Sequence, residues 1–457
     1  MNMIVIGVGM SVHKTDGVAR FERFCEENGL DFMILGEGME WSGGDMEKGP
    51  GGGQKINELK AALEGIDNKL IIFCDTFDLF PVSGPKEIYA KYQSLCPNNE
   101  ILFASEIYCW PDRHVAEDYP PVSTVYKYLN SGSFMGYRDD IIEMISGTEI
   151  DNTEDDQRYY TRKYLESNGS VKLDSGCQIF QALNGAYDHI SVHKSRVYNS
   201  YTSSYPIFIH GNGLSKLHLN MIENYVGDVD INSTLLHDRS NTTTNAGVFV
   251  AMFIDDIDAS YFSEFCDSMR SLQKANSRSV FYAYGKNPED HDIGRLNSMD
   301  IPLDHISDNR YSCYADFIES GCEYLCTIDQ KCIIKNPDTI DILIGCTDRT
   351  HRIISPMLRL AGDSWYANFW GALDSNKYYK RSDDYASLIN RKLTGIWNVP
   401  YVSGIILFTR DIIMNWDLTK SNIFDSDPEM KLCENIRNYT LFMYMINTHD
   451  YGYIARD

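Results

Sequence analysis

Long apolar runs are what this chain most plainly lacks. None approaches the ~18–20 residues that a membrane-spanning helix needs. Positive charge is scarce as well: 41 Lys and Arg stand against 65 Asp and Glu, a formal net charge of −24. A field of that sign repels nucleic acid and anionic lipid, so a phosphate-bearing ligand must be met by a local exception such as a metal ion or a few placed lysines. The opening residues, Met1-Asn-Met-Ile-Val-Ile-Gly-Val-Gly9, have no basic flank and too short an apolar core for a secretory signal, and they read as a first buried strand. A Gly-Lys-Ser/Thr order is missing, which excludes a Walker loop. The twelve cysteines do not form a disulfide frame. Cys74 and Cys326 sit inside apolar runs and read as free buried thiols. Cys322, Cys326 and Cys332 have no second cluster to complete a zinc site.

What is present suits two domains: 457 residues, 43% of them hydrophobic. Short apolar runs at 3–8, 32–35, 70–74, 101–104 and 207–209 alternate with amphipathic stretches at 55–63, 86–95 and 157–165, the pattern of an α/β fold with a mostly parallel sheet. A polar, aperiodic stretch from Asn232 to Asn245 places the boundary near residue 240. The pattern then restarts, with strands expected at 248–254, 280–284 and 324–328 and helices at 259–274 and around 316–319. Each half carries a late strand ending in Asp, Ile71-Ile-Phe-Cys-Asp75 and Tyr324-Leu-Cys-Thr-Ile-Asp329, as two domains of related architecture would.

Four segments carry chemistry. In Asp75-Thr-Phe-Asp78 the carboxylates can share one ion only if the chain turns just after the strand, at the end where open α/β sheets bind ligands. Hard oxygen ligands there suit Mg²⁺ or Mn²⁺ on a diphosphate, although two solvated loop acids would look the same. His210-Gly-Asn-Gly213 ends an apolar run and offers an imidazole, which shifts the preference toward Mn²⁺; alone, it also fits a histidine before an ordinary turn. The run Gly49-Pro-Gly-Gly-Gly53-Gln-Lys55 leads into a helix, so its N–H groups and Lys55 can form an anion site or merely a flexible loop. Asn152-Thr-Glu-Asp155-Asp156-Gln157 reads as a capped helix start or as carboxylates facing a sugar. Trp110, beyond Ser105-Glu106, is either a core aromatic or the flat wall of a sugar site.

In order along the chain, Gly43-Gly-Asp45, Gly51-Gly-Gly-Gln-Lys55, Asp75-x-x-Asp78, Ser105-Glu106, Cys109-Trp-Pro111, Leu129-Asn-Ser-Gly132, Asp155-Asp-Gln157, Phe180-Gln-x-Leu-Asn-Gly185 and His210-Gly-Asn-Gly213 with Lys216 resemble the glycosyltransferase portion of the multifunctional procollagen lysyl hydroxylases. Ser355-Pro-Met357, Asn368-Phe-Trp-Gly-Ala372, Tyr378-Tyr-x-Arg-Ser-x-Asp-Tyr385 and Trp397-Asn-Val-Pro-Tyr401 resemble that family's accessory domain. The resemblance implies a GT-A-type, Rossmann-like catalytic domain over 1–240 and a non-catalytic, GT-A-like accessory domain over 241–457. The chain ends where the family's hydroxylase domain would begin and lacks its secretory signal, so lysyl hydroxylation is not expected. The location is expected to be the cytoplasm, of a host cell if the chain is viral, or the endoplasmic-reticulum lumen. Giant DNA viruses carry such relatives, and this chain looks like one.

The resemblance also implies roles. Asp75, Asp78 and His210 would hold Mn²⁺. Asp45, Met46, Lys55, Thr76, Phe77, Gly213 and Lys216 would lie along the UDP. Trp110, Glu106, Asn130, Asp155, Asp156 and Asn212 would form the sugar and acceptor side. The implied reaction is retaining glucose transfer from UDP-glucose to galactosyl-hydroxylysine of a collagen-like protein, α-1,2 linked. Its rivals are galactose or glucose transfer directly to hydroxylysine, a glycosidase, and a non-catalytic collagen-binding module. A homodimer is left open. In the second half, Asp329-Gln-Lys331 puts a lysine where a working metal motif has its second acid, so one nucleotide site per chain is expected.

Overall fold

The computed structural model describes residues 2–44, 49, 51–147, 150–226, 246–256, 258–285, 312–363, 365–374, 378–419 and 427–456. The chain forms two compact units, Met1–Gly227 and Asp228–Asp457. Asp45, Met46, Pro50 and the polar stretch with the expected boundary at 240 lie outside the described residues. No described helix is long and apolar enough to cross a membrane.

The first unit runs β1 (Met3–Ser11), α1 (Asp16–Glu27), β2 (Phe32–Glu37), α2 (Gly53–Leu63), β3 (Leu70–Asp75), β4 (Leu79–Pro81), α3 (Pro85–Leu95), β5 (Ile101–Glu106), β6 (Tyr128–Tyr137), α4 (Arg138–Ile145), α5 (Asp156–Glu166), β7 (Val171–Leu173), β8 (Phe180–Ala182), β9 (Ile190–His193), β10 (Arg196–Asn199), β11 (Phe208–His210) and α6 (Lys216–Glu223). The main sheet has the order β2-β1-β3-β6-β5-β7. All its strands are parallel except β6, which is antiparallel to both neighbours. β1, β3 and β5 are buried almost throughout because both faces are covered, which is why they read as continuous apolar runs. Ile6, Val8, Phe73, Phe103 and Phe134 pack one face, and Val5, Ile72, Leu102 and Met135 the other. A second small sheet, β4-β11-β8, stands beside the strand ends. This is the expected Rossmann-like, GT-A-type α/β class. Among the segments not anticipated, which include α1, α4 and α6, β6 bears most on the site: its run Leu129-Asn-Ser-Gly-Ser133 is polar and glycine-bearing, yet buried.

The second unit repeats the plan. Its seven-stranded sheet begins Ser279–Gly285, Val248–Ile254, Tyr324–Asp329, Ile405–Thr409, Ile353–Pro356, Met443–Ile446, with the same directions: three parallel, one antiparallel, two parallel. A seventh strand, Ile396–Val399, adds antiparallel at the edge. The small sheet recurs as Cys332–Ile334, Gly452–Ile454 and Arg359–Leu360. The expected helix over 259–274 begins later, at Phe262, because a turn precedes it.

Register aligns the two units residue by residue. Asp75 lies opposite Val8 and Asp329 opposite Phe253, each pair at the end of the parallel strands. Leu79 lies opposite His210 and Cys332 opposite Ile454. Gly211 N–H donates to the Asp78 carbonyl, and Ala455 N–H to the Lys331 carbonyl, both at 2.7 Å. Lys331 and Ile454 therefore occupy the places of Asp78 and His210. None of the twelve cysteines is in a disulfide, and all but Cys109 and Cys322 are buried.

Candidate active site

The site forms where the carboxyl ends of β1, β3, β5 and β11 meet the start of the antiparallel β6 and the N-termini of α2 and α5. This is the ligand-binding edge of an open α/β sheet. β3 ends on Asp75, the chain turns through Thr76 and Phe77, and Asp78 precedes β4. Two local features hold the turn. Gly17 of α1 packs on it so closely that a Cβ would lie 2.3 Å from the Phe77 carbonyl oxygen. The buried Arg20 donates from Nη2 to that same oxygen at 3.3 Å, and from Nη1 to Glu223 and Asn220 of α6 at 3.1 and 2.6 Å.

Pairing of β4 with β11 then carries His210 to Asp78. One ligand atom from each of Asp75, Asp78 and His210 lies within 4.8 Å of the others. His210 Nε2 is 3.4 Å from Asp78 Oδ1, and Lys216 Nζ, on a 56% exposed side chain, is 3.8 Å from Oδ2. Burial pushes the Asp78 carboxyl up, but His210, Lys216 and Lys55 outweigh it and hold the group below the ordinary carboxylate range. Burial opposes charge on His210; the Asp78 carboxylate outweighs that and raises the imidazole's pKa. Two carboxylates and one imidazole make a hard, mixed O/N donor set that fits a divalent cation.

Lys55, at the start of α2, sits between the metal-type cluster and the carboxylate of Asp156. Its ammonium is 2.8 Å from Asp75 Oδ1 and 3.3 Å from Asp156 Oδ2. Burial works against the Lys55 charge, but Asp156 and Asp75 together raise its pKa above the ordinary lysine value. Asp156 is itself pushed up by burial, with Lys55 pulling the other way. Lys55, expected beside the UDP, is ion-paired with the buried Asp156 and the half-buried Asp75.

A second polar cluster is organised around Glu106, the last residue of β5. Its carboxylate accepts from three side-chain amides: Asn130 at 3.0 Å, Gln157 at 2.8 Å and Asn212 at 3.1 Å. Burial raises the Glu106 pKa, and these donors resist the rise. Gln157 also donates to the Trp110 carbonyl at 3.0 Å, fixing the loop that presents Trp110. That indole is 54% exposed, so Trp110 is not a core aromatic and offers its face to solvent. Asp155 caps α5, accepting from Arg158 N–H at 2.7 Å, and burial raises its carboxyl pKa.

The structure places the remaining expected residues as follows. Thr76 is buried, with its hydroxyl donating to the Val8 carbonyl at 2.7 Å. Phe77 is half-buried and contributes its carbonyl to the Arg20 clamp. Four N–H groups of the glycine run and helix start are already engaged: Gly52 by Gly43, Gly53 by Glu154, Gln54 by Asn152 and Lys55 by Gly52. This part of the run serves close packing. Gly52, at φ 105°, leaves no room for a side chain, since a Cβ would lie 2.7 Å from Asp156 Cγ. Gly213, at φ 57°, packs on Asn184. Asn130 and Asn212 spend their amides inside the network, Asn212 Oδ1 accepting from Asn184 N–H at 3.0 Å. Gln157, Gly132 and Arg20 carry site geometry but had been given no role. Gln157 and Gly132 lie inside the motifs quoted above; nothing local marks Arg20.

Comparison with known proteins follows the same division. Residues 1–235 match the family described as the PLOD GT domain, and residues 302–456 match the glycosyltransferase family 25 N-terminal domain. An uncharacterized protein of Acanthamoeba polyphaga mimivirus is 44% identical over 99% of this chain and 98% of its own length. The human multifunctional procollagen lysine hydroxylase and glycosyltransferase LH3 is 31% identical over 98% of this chain, which spans 64% of that protein. Among solved structures, a glycosyltransferase involved in glycosylation of the major capsid of PBCV-1 aligns with 49% of the chain at 14% identity and a TM-score of 0.31. A mannosyltransferase from Pyrobaculum calidifontis, in complex with GDP-Man and Mn²⁺, aligns with 48% at 11% identity and 0.32.

Proposed function

The chain belongs to the PLOD glycosyltransferase-domain family and is a glycosyltransferase, and on that premise we propose that it transfers glucose from UDP-glucose to galactosyl-hydroxylysine of a collagen-like protein, with Mn²⁺ at Asp75, Asp78 and His210. The observation that carries this reading is the juxtaposition of that donor set with the buried Glu106–Asn130–Gln157–Asn212 network at one sheet edge. A glycosidase has no use for a metal-type cluster joined through Lys55 to its carboxylates. A non-catalytic module would have no reason to hold three ionisable ligands so close together in a largely buried place.

The reaction breaks the anomeric C–O bond to UDP, forms a bond from the acceptor hydroxyl oxygen to the same carbon with retention, and releases the hydroxyl proton. A bound divalent ion supplies positive charge to offset the leaving diphosphate. Lys216, exposed beside Asp78, can reach the same diphosphate as a point charge. Asp156, paired with Lys55, can stabilise an oxocarbenium-like sugar. The Trp110 face offers an apolar wall for a sugar ring. Glu106 anchors the amides that shape the acceptor side.

A donor screen against free and peptide-bound acceptors, with the product linkage read by NMR, tests the assignment. The expected product is glucose α-1,2 linked to galactose. Faster transfer to bare hydroxylysine peptides, or a preference for UDP-galactose, would establish the rival acceptor or donor instead.

A further inference from the structure

The motif Leu129-Asn-Ser-Gly132 touches the metal-type cluster as well as the Glu106 network. It lies where β6 bulges. On β5, Ala104 pairs with Asn130 and Phe103 with Phe134, so one step on β5 spans four on β6. The extra residues bring Asn130 and Gly132 up to His210, in the manner of bulges that re-aim side chains beside active sites.

We propose that Asn130 and Gly132 are positioning residues for His210, together fixing its ring so that Nε2, and not Nδ1, faces the cation. The Asn130 amide has only one workable orientation. Its Oδ1 accepts from Gly132 N–H at 3.1 Å, and its Nδ2 donates to the Glu106 carboxylate at 3.0 Å. The atom 3.1 Å from His210 Nδ1 is therefore a carbonyl oxygen, so Nδ1 carries the proton and the Nε2 lone pair is left for a ligand. Gly132 supplies the space. A Cβ there would lie 2.2 Å from His210 Cε1 and 2.8 Å from Nδ1, so any side chain displaces the ring. Because Asn130 also holds Glu106, one amide links the cation's imidazole to the carboxylate of the sugar side.

This inference rests on the assignment of Asp75, Asp78 and His210 as metal ligands. Mn²⁺ affinity, measured from the electron paramagnetic resonance of the free ion, tests it without any turnover. Asn130→Ala and Gly132→Ala should each weaken binding about tenfold or more. Asn130→Asp keeps an acceptor for His210 and Gly132 but sets a second carboxyl against Glu106, where one of the two must take up a proton, so its affinity should fall less than that of Asn130→Ala. Wild-type affinity in either alanine variant, or an equal loss in Asn130→Asp and Asn130→Ala, overturns the inference. Absence of Mn²⁺ binding by the wild-type chain overturns the underlying metal assignment instead. If the alanine variants fail to fold, the wild-type chain gives an independent reading. With ¹⁵N-labelled histidine and diamagnetic Zn²⁺ bound, the imidazole resonance missing from His210→Gln should report its proton on Nδ1; a proton on Nε2 refutes the inference.

Discussion

Replacing Lys55 with methionine removes the ammonium that Asp75 and Asp156 share and keeps most of the stem's volume. At separations of 2.8 and 3.3 Å, an effective dielectric of about 20 gives roughly 5–6 kcal/mol of gross attraction per carboxylate. Desolvation of three buried charges offsets most of that. The net cost of orphaning a buried pair by deleting one partner is about 3 kcal/mol or more. For a unit of this size that lowers the melting midpoint of the metal-free protein by about 6–12 °C. Lys55 also competes with a cation for Asp75. Saturating Mn²⁺ should therefore raise the midpoint more in Lys55→Met than in wild type, while transfer falls because Asp156 loses its counter-charge. Differential scanning fluorimetry of both chains, with and without Mn²⁺, reads both effects. A metal-free midpoint within a degree of wild type would mean that the ion triad does not form in solution. A smaller Mn²⁺ shift in the variant would refute the competition.

Asp78→Asn and His210→Gln should each abolish transfer and remove the additional thermal stabilisation that Mn²⁺ gives in the presence of UDP; a retained shift in both refutes the ligand assignment. The isosteric changes are chosen because His210 is buried, so truncation to alanine would leave a cavity. Calorimetric titration with UDP in Mn²⁺ should give one site per chain, since Lys331 and Ile454 replace the second acid and the imidazole in the second unit; two sites would contradict this. His218 packs against Tyr187 with ring centroids 4.3 Å apart, and burial lowers its pKa to about 4. Its neutral form is favoured by folding, so its contribution is complete above the unfolded value near 6.5 and is lost as pH falls toward 4. The loss reaches roughly 3 kcal/mol. His218→Phe should flatten the stability profile over that window, and an unchanged slope in urea denaturation would refute it.

Strand and helix placement in the first unit was largely legible, because β1, β3 and β5 are buried on both faces and stand out as apolar runs between amphipathic helices. Asp75, Asp78 and His210 were legible for a related reason: each lies at or just beyond the end of an apolar run, where parallel strands deliver residues to one edge. The repeated strand ending in Asp also marked the two units as related before their sheets could be compared.

What sequence could not decide is where polar side chains spend their hydrogen bonds. Thr76 and Phe77 lie between Asp75 and Asp78 in the chain, yet one turns its hydroxyl to Val8 and the other its carbonyl to Arg20, because Gly17 lets α1 close over the turn. The glycine run read as an anion site or a flexible loop. The N–H groups of Gly52, Gly53 and Gln54 are engaged by Gly43, Glu154 and Asn152, contacts that exist only once α2 and α5 have packed. β6 escaped recognition because a strand covered on both faces can tolerate Asn, Ser and Gly when a bulge turns them toward His210 and Gln157. The sequence by itself determined the α/β alternation, the two-unit plan and the ligand types, since these follow from local pattern. Tertiary structure alone decided that Lys55 joins Asp75 to Asp156, that Glu106 gathers three amides, and that Asn130 faces His210: each joins residues far apart in the chain, through hydrogen-bond directions that no local pattern encodes.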